Sequence, residues 1–274
     1  MAIDIKARFT SYTERWMLLW IGAKCLFAEL LSGGFSNLLD RTFAKLYTSL
    51  STPQQNFTRL SKTLTTPTGP DFAKCEADLS PVPRYVALAD GVTLELGPGC
   101  GTQLPRFNPK NLTHVYGVEP NAEIIPALRE KIESLLEIRP LYTAINASFE
   151  DETALKANGI VDGSLDTVVC MQVLCSVADA KDVMKRAHRL LKPGGQFLFW
   201  EHTASKDRVT VYVQHLWNII WSPLLGGCAM GVDVETAIMS AGAWDIVELG
   251  RDDGSERPYN LLPRVWGRLV KVEK

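Results

Sequence analysis

Three glycines at alternate positions, Gly97, Gly99 and Gly101, stand in the run Glu95-Leu96-Gly97-Pro98-Gly99-Cys100-Gly101-Thr102. Glycine at such positions lets a turn take positive φ and lets a ligand lie against bare main chain. The spacing is G-x-G-x-G, and Thr102 stands where a dinucleotide loop would place its third glycine. A pyrophosphate seated on a helix N-terminus is therefore disfavoured. The next chemical signal is Glu119, in Val118-Glu119-Pro120-Asn121, 18 positions after Gly101 (119 − 101). A carboxylate at the carboxyl end of the following strand is where an open α/β sheet places the partner of a ribose, because it can accept from both vicinal hydroxyls at once. The competing reading of Glu119 is a charge at the N-terminus of the helix that follows. With the glycine loop upstream, ribose binding is favoured.

Two histidines are candidates for proton handling or for orienting an acceptor. His202 closes Trp200-Glu201-His202 directly after a strand-like run, at the carboxyl edge where such sheets bind ligands. His215 lies in a segment rich in aromatics, with Tyr212, Trp217 and Trp221. His114 and His188 read as a strand-start and a surface-helix position. The six cysteines, Cys25, Cys75, Cys100, Cys170, Cys175 and Cys228, form no C-x-x-C pair and lack the Cys/His spacing of a structural zinc site. They read as reduced thiols, and no metal is expected.

The elements that would hold these residues alternate. Val92 to Leu96, Thr113 to Val118, Leu141 to Ile145, Leu165 to Cys170 and Gln196 to Trp200 are strand-like, separated by helical stretches such as Ala122 to Leu136 and Ala180 to Leu191. That order predicts an α/β fold: a Rossmann-like, doubly wound, mostly parallel sheet with both faces covered. Lys192-Pro193-Gly194-Gly195 reads as a helix stop and tight turn into the fifth strand. Val234 to Ala241 with Gly242 as its stop, then Trp244 to Leu249 and Val265 to Val272, predict a helix and an antiparallel C-terminal strand pair. Trp217 and Trp221, four apart, form a stripe on one helix that either packs or lines an apolar acceptor pocket.

Before the alternating region lies an N-terminal helical extension, so we expect two parts, residues 1–70 and residues 71–274. Trp16 to Ala23 is free of charge, and apolar residues continue to Leu31, but Lys24 and Glu29 interrupt the run. The uninterrupted part is much shorter than the roughly 20 residues that span a bilayer. Ser11 and Glu14 have the spacing of a capping box, so residues 13–31 read as a lid helix or as a helix lying on a membrane surface. With 29 basic against 31 acidic residues and a net charge of −2, no global field attracts nucleic acid. Cytoplasmic location is expected, with peripheral membrane contact through residues 13–31 as the alternative.

In order and spacing, ELGPGCG, the acidic strand end at Glu119, DTVVCMQVLCSV and LKPGGQF together resemble class I S-adenosylmethionine methyltransferases over residues 85 to 272. VVCMQVLCSV, RLLKPGGQFLFWEH, WSPLLGGC and LLPRVWGRLVK further resemble the methyltransferase-like branch, which includes membrane-associated alkyl thiol methyltransferases. That likeness is clear from about Leu94 onward; in the N-terminal part only the apolar-helix character matches, and the family anchor is longer than Trp16 to Leu31. Pro98 also departs from the family, which usually has Cys after the first glycine. The resemblance implies S-adenosyl-L-methionine as cofactor, with Glu95, Gly97, Gly99 and Gly101 around its methionine part and Glu119 on its ribose. It implies that Asn146, Ala147 and Ser148 border the adenine and that Cys170, Met171 and Gln172 lie near the sulfonium. The acceptor it implies is a small, fairly hydrophobic thiol, with an oxygen or nitrogen of a natural product as the alternative.

Overall fold

The computed structural model describes Arg8, Ser11, Tyr12, residues 80–252 and residues 259–272. The apolar run Trp16 to Leu31, the division at residue 70, Cys25 and Cys75 lie outside these residues. Among those described, no helix is long and apolar enough to cross a membrane.

Seven strands form one sheet in the order β3-β2-β1-β4-β5-β7-β6. They are β1 (Gly91–Leu96), β2 (Leu112–Val118), β3 (Tyr142–Ile145), β4 (Leu165–Met171), β5 (Leu191–His202), β6 (Trp244–Arg251) and β7 (Arg264–Lys271). The first five pair parallel, and β7 runs antiparallel to both β5 and β6. The expected sheet and its antiparallel end are thus present. Order reverses between β1 and β4, the point at which such a sheet opens a crevice at its carboxyl edge.

Helices cover both faces. On one side α1 (Val82–Ala87) and α2 (Ile125–Ser134) enclose Tyr85, Leu104, Val115, Leu128 and Leu198. On the other, α3 (Glu152–Ala157), α4 (Ala180–Leu190) and α6 (Val234–Met239) enclose Leu94, Val168, Met184, Phe197 and Phe199. Four helices start on aspartate caps. Asp151 and Asp179 accept backbone N–H bonds at α3 and α4, Asp233 at α6, and Asp207 at α5 (Arg208–Leu224).

Helix α5 is the aromatic segment anticipated from the sequence. Trp221, only 2% exposed, packs with Leu225, Met230, Leu261 and Leu262, and Trp217 and Val213 lie against that cluster. The Trp217/Trp221 stripe is therefore a packing face. The opposite face presents Val209, Tyr212, Leu216, Ile219 and Ile220 to the outside. N-terminal residues dock at the start of this helix. Arg8 forms a two-pronged pair with Asp207 at 2.6 and 3.0 Å and lies over the Tyr259 ring, and Tyr12 shares a hydrogen bond with Thr210.

Three local expectations need correction. Ser11 is itself helical and its hydroxyl donates to the Tyr259 carbonyl, so it joins two distant segments instead of capping a helix that starts after it. The Lys192-Pro193-Gly194-Gly195 run is not a helix stop: α4 ends at Leu190, Leu191 is extended, and the glycines form an irregularity inside β5. Gly195 is needed there because a Cβ would meet the Lys192, Leu165 and Asp166 carbonyl oxygens at 2.9 to 3.2 Å. Likewise α6 ends at Met239, and Gly242 serves to admit the His188 ring, which a Cβ would meet at 2.3 Å.

Candidate functional site

The glycine loop leaves β1 at the carboxyl edge. Gly97, Gly99 and Gly101 have φ of 57°, 56° and 80°, a region costly for residues with a Cβ. At Gly97 a side chain would also strike Val173, whose Cγ2 lies 2.9 Å from the ideal Cβ. The loop is thereby pressed against the segment that follows β4, with its main chain bare.

Glu119 fastens this loop. Its Oε2 accepts the Gly99 N–H at 3.0 Å and its Oε1 accepts the Asn121 N–H at 2.9 Å. Helix α2 begins later, at Ile125, with no side-chain cap, so Glu119 is not its cap. A carboxylate offers about four lone-pair sites, two per oxygen. Each oxygen of Glu119 has spent one on backbone and retains one, a pair suited to a vicinal diol. Burial raises the Glu119 pKa, opposed by the Asn121 and Gly99 bonds. Asn146 donates from its amide to the Glu119 and Pro120 carbonyls, tying the end of β3 to the end of β2. Beside it, Ala147 packs against the core, and the exposed Ser148 hydroxyl meets Glu150.

Glu95 is 2% exposed and accepts from the Tyr142 hydroxyl at 2.7 Å. Burial pushes its pKa up to about 7, partly opposed by the Tyr142 bond and reinforced by nearby Glu119. A cation arriving here would therefore meet a carboxyl whose charge it can itself call up.

At the end of β4, Gln172 has φ of 63°, the one non-glycine among the described residues with positive φ. Strain of this kind gathers at functional sites and is a reason to look for function. Gln172 donates its N–H to the Trp200 carbonyl and receives Arg264 on its amide oxygen. Met171 is half-buried beside it. The Cys170 thiol is turned into the core and donates to Glu201 at 3.3 Å, so its side chain faces away from the crevice.

Two further residues predicted from the sequence separate. His202 is buried at the end of β5, with Nε2 3.2 Å from the Cys228 sulfur. His215 is exposed on α5 with its ring beside Gly231, and is not brought to the glycine loop or to His202 by any contact we find among the described residues. Glu201 is fully buried. One of its oxygens accepts from Val173 N–H at 2.8 Å, and the other has no hydrogen-bond partner among the described residues. Burial raises its pKa to about 7, opposed chiefly by the Val173 N–H bond. From the sequence, Glu201 is the alternative to its neighbour His202 as the group that orients the acceptor. Its bond to Cys170 joins residues 31 apart, which no local spacing reveals.

Residues 94–199 match the protein-family model described as a methyltransferase domain. The chain is 32% identical over 179 residues to human thiol S-methyltransferase TMT1A, covering 65% of this chain and 70% of that protein. It is 30% identical over 185 residues to human thiol S-methyltransferase TMT1B, with the same coverage of each. Among solved structures, a SAM-dependent methyltransferase from Leishmania major superposes with a TM-score of 0.54 at 15% identity, covering 81% of each chain. The N-methyltransferase NodS from Bradyrhizobium japonicum, in complex with S-adenosyl-L-homocysteine, gives a TM-score of 0.52 at 13% identity, over 80% of this chain and 99% of that one. The structural likenesses establish the fold, and the sequence relatives establish the family. With its methyltransferase sheet, its left-handed glycine loop and these relatives, the chain belongs to the class I S-adenosylmethionine-dependent methyltransferases, in the branch that holds the human thiol S-methyltransferases TMT1A and TMT1B.

Proposed function

We propose that this S-adenosylmethionine-dependent methyltransferase methylates the sulfur of a small, fairly hydrophobic thiol. The observation that carries the site assignment is the Gly99 N–H bond to Glu119, which joins the bare glycine loop to a carboxylate with two lone pairs to spare. The choice of thiol rests on the named activity of the relatives TMT1A and TMT1B.

In this reading Gly97, Gly99 and Gly101, with Glu95, surround the methionine end of the cofactor, and the Glu95 carboxyl ionises against its ammonium group. Glu119 accepts from the ribose hydroxyls. Asn146, Ala147 and Ser148 border the adenine. Cys170, Met171 and Gln172 contribute backbone near the sulfonium, Gln172 being held by its strained φ. When bound, the cofactor supplies a methyl group on a cationic sulfur. The protein's work is to hold the acceptor in line with that methyl group and to exclude water, which accounts for most of the rate gain in such transfers. A thiol needs little help to ionise, its ordinary pKa being about 8.5. No dedicated strong base is required, and none is assigned to His215.

The test is product mass. Purified protein with S-adenosylmethionine and a panel of small alkyl thiols, phenols and amines should add one methyl group to the thiols first. Methylation of phenols or amines with thiols untouched would overturn the acceptor assignment and leave the cofactor site standing.

A further inference from the structure

Outside the glycine loop, one cluster brings together side chains that the chain separates widely. Cys175 lies just after β4, His202 ends β5 and Cys228 follows α5, at intervals of 27 and 26 residues (202 − 175 and 228 − 202). Their ligand atoms, the two sulfurs and a ring nitrogen of His202, all lie within 4.8 Å of one another. The closest pair, Cys228 Sγ and His202 Nε2, are 3.2 Å apart. Around a tetrahedral ion with bonds of about 2.0–2.3 Å, ligand atoms stand about 3.3–3.8 Å apart, so small side-chain shifts suffice.

We infer that Cys175, His202 and Cys228 form a three-ligand site for a zinc-class cation whose fourth position takes the acceptor thiol. The inference rests on the thiol-methylation reading above.

Four observations converge on it. The donor set is two thiols and an imidazole, the borderline-soft combination that zinc prefers, and carboxylates are absent from it. Two cysteines and a histidine are the set found in catalytic zinc sites, which keep a position open, whereas structural sites close with four protein ligands. Trp221 donates its indole N–H to the Cys228 sulfur at 3.2 Å, an outer contact of the kind that orients a metal ligand. Finally, the three residues meet in a largely buried setting, Cys228 being the least covered, which shields a bound ion from competing water.

Position ties the cluster to the cofactor crevice. Val173, two residues before Cys175, is the residue that a Cβ on Gly97 would strike, and its N–H donates to Glu201, the neighbour of His202. One short segment thus touches the glycine loop on one side and carries a ligand on the other. Coordination would convert the acceptor thiol to thiolate, its proton leaving to water. A lone pair of that sulfur then forms the new C–S bond as the methyl–sulfonium bond breaks, and the breaking pair stays on the departing sulfur as a neutral thioether.

The experiment uses the full chain, stripped of metal under reducing conditions and titrated with Co²⁺. We expect about one equivalent bound, with thiolate-to-cobalt absorption in the near ultraviolet and intense tetrahedral d–d bands that shift when a small alkyl thiol is added. Cys175→Ser, Cys228→Ser and His202→Asn should each weaken Co²⁺ binding by at least the ~10–100-fold that loss of even an outer partner costs. Calorimetry with S-adenosylhomocysteine reports whether each protein is folded. Wild-type protein that binds S-adenosylhomocysteine but takes up no Co²⁺, or a Cys228→Ser variant that binds it undiminished, would overturn the metal site while leaving the methyltransferase intact. Bound Co²⁺ with d–d bands indifferent to thiol would overturn the acceptor's place at the fourth position. Should a variant fail to fold, the thiol-dependent shift in the wild type decides alone. Metal uptake together with methylation of amines or phenols only would instead fail the thiol reading.

Discussion

At the level of single residues, the site is a set of groups held in states they would not choose alone. Gly97 combines a φ of 57° with a side-chain contact at 2.9 Å that any Cβ would make. Gly97→Ala should lower stability by about 1–2 kcal/mol from backbone strain alone and weaken S-adenosylhomocysteine binding as well, read by urea unfolding and calorimetry. Glu95 offers a pH test. Its folded pKa of about 7 exceeds the ordinary 4.5, so between those values the folded state binds more protons than the unfolded one. Stability therefore falls as pH rises through that window, by on the order of 3 kcal/mol for this one group, and the loss is complete above it. Glu95→Gln should flatten the profile between pH 4.5 and 7 and make the protein relatively more stable at pH 8 in urea melts; an unchanged slope would refute the burial of this charge. These residues were legible because their signals are local, with glycines two apart and Glu119 a fixed distance further on. Tyr142 on Glu95, 47 residues away, was not, since strand order alone brings them together.

At the level of elements, strands were read more reliably than turns. A strand's alternation or apolar run is fixed by burial on the sheet, and the five parallel strands and the antiparallel pair lie where their patterns put them. Turns failed where one residue type serves two purposes. Gly195 and Gly242 permit close approach of carbonyls and of the His188 ring, yet from sequence alone a glycine after a helical run reads as a stop. The aspartates at 151, 179, 207 and 233 are helix-start signals of the kind a sequence does carry. Asp207 caps α5 and also pairs with Arg8, which holds its carboxyl well below the usual range. Arg8→Ala should detach Ser11 and Tyr12 and loosen the first turn of α5, seen as faster amide hydrogen exchange at residues 208–212, with the sheet unaffected. Unchanged exchange there would mean that the docking adds nothing to that turn.

For the molecule as a whole, the covered sheet gives a rigid frame whose carboxyl edge gathers everything of chemical interest. The glycine loop, Glu119, Asn146 and Gln172 follow strand ends, and His202 ends β5. Ligand that binds only the folded chain must stabilise it. At a hundredfold excess over Kd the gain is about 2.7 kcal/mol. S-adenosylhomocysteine should then raise the Tm by about 5–10 °C in a thermal melt. What the sequence could not show at this scale is convergence: Cys175, His202 and Cys228 meet only because β4, β5 and the end of α5 share one edge. The most direct measurement is calorimetric titration with S-adenosylhomocysteine of the wild-type chain beside Glu119→Ala. Loss of the charged acceptor for two hydroxyls, and of the Gly99 anchor, should weaken binding by about 10–100-fold or more in a variant that remains folded by circular dichroism. Equal affinity in the two proteins would contradict the assignment of the ribose to Glu119 and, with it, the placement of the cofactor on the glycine loop.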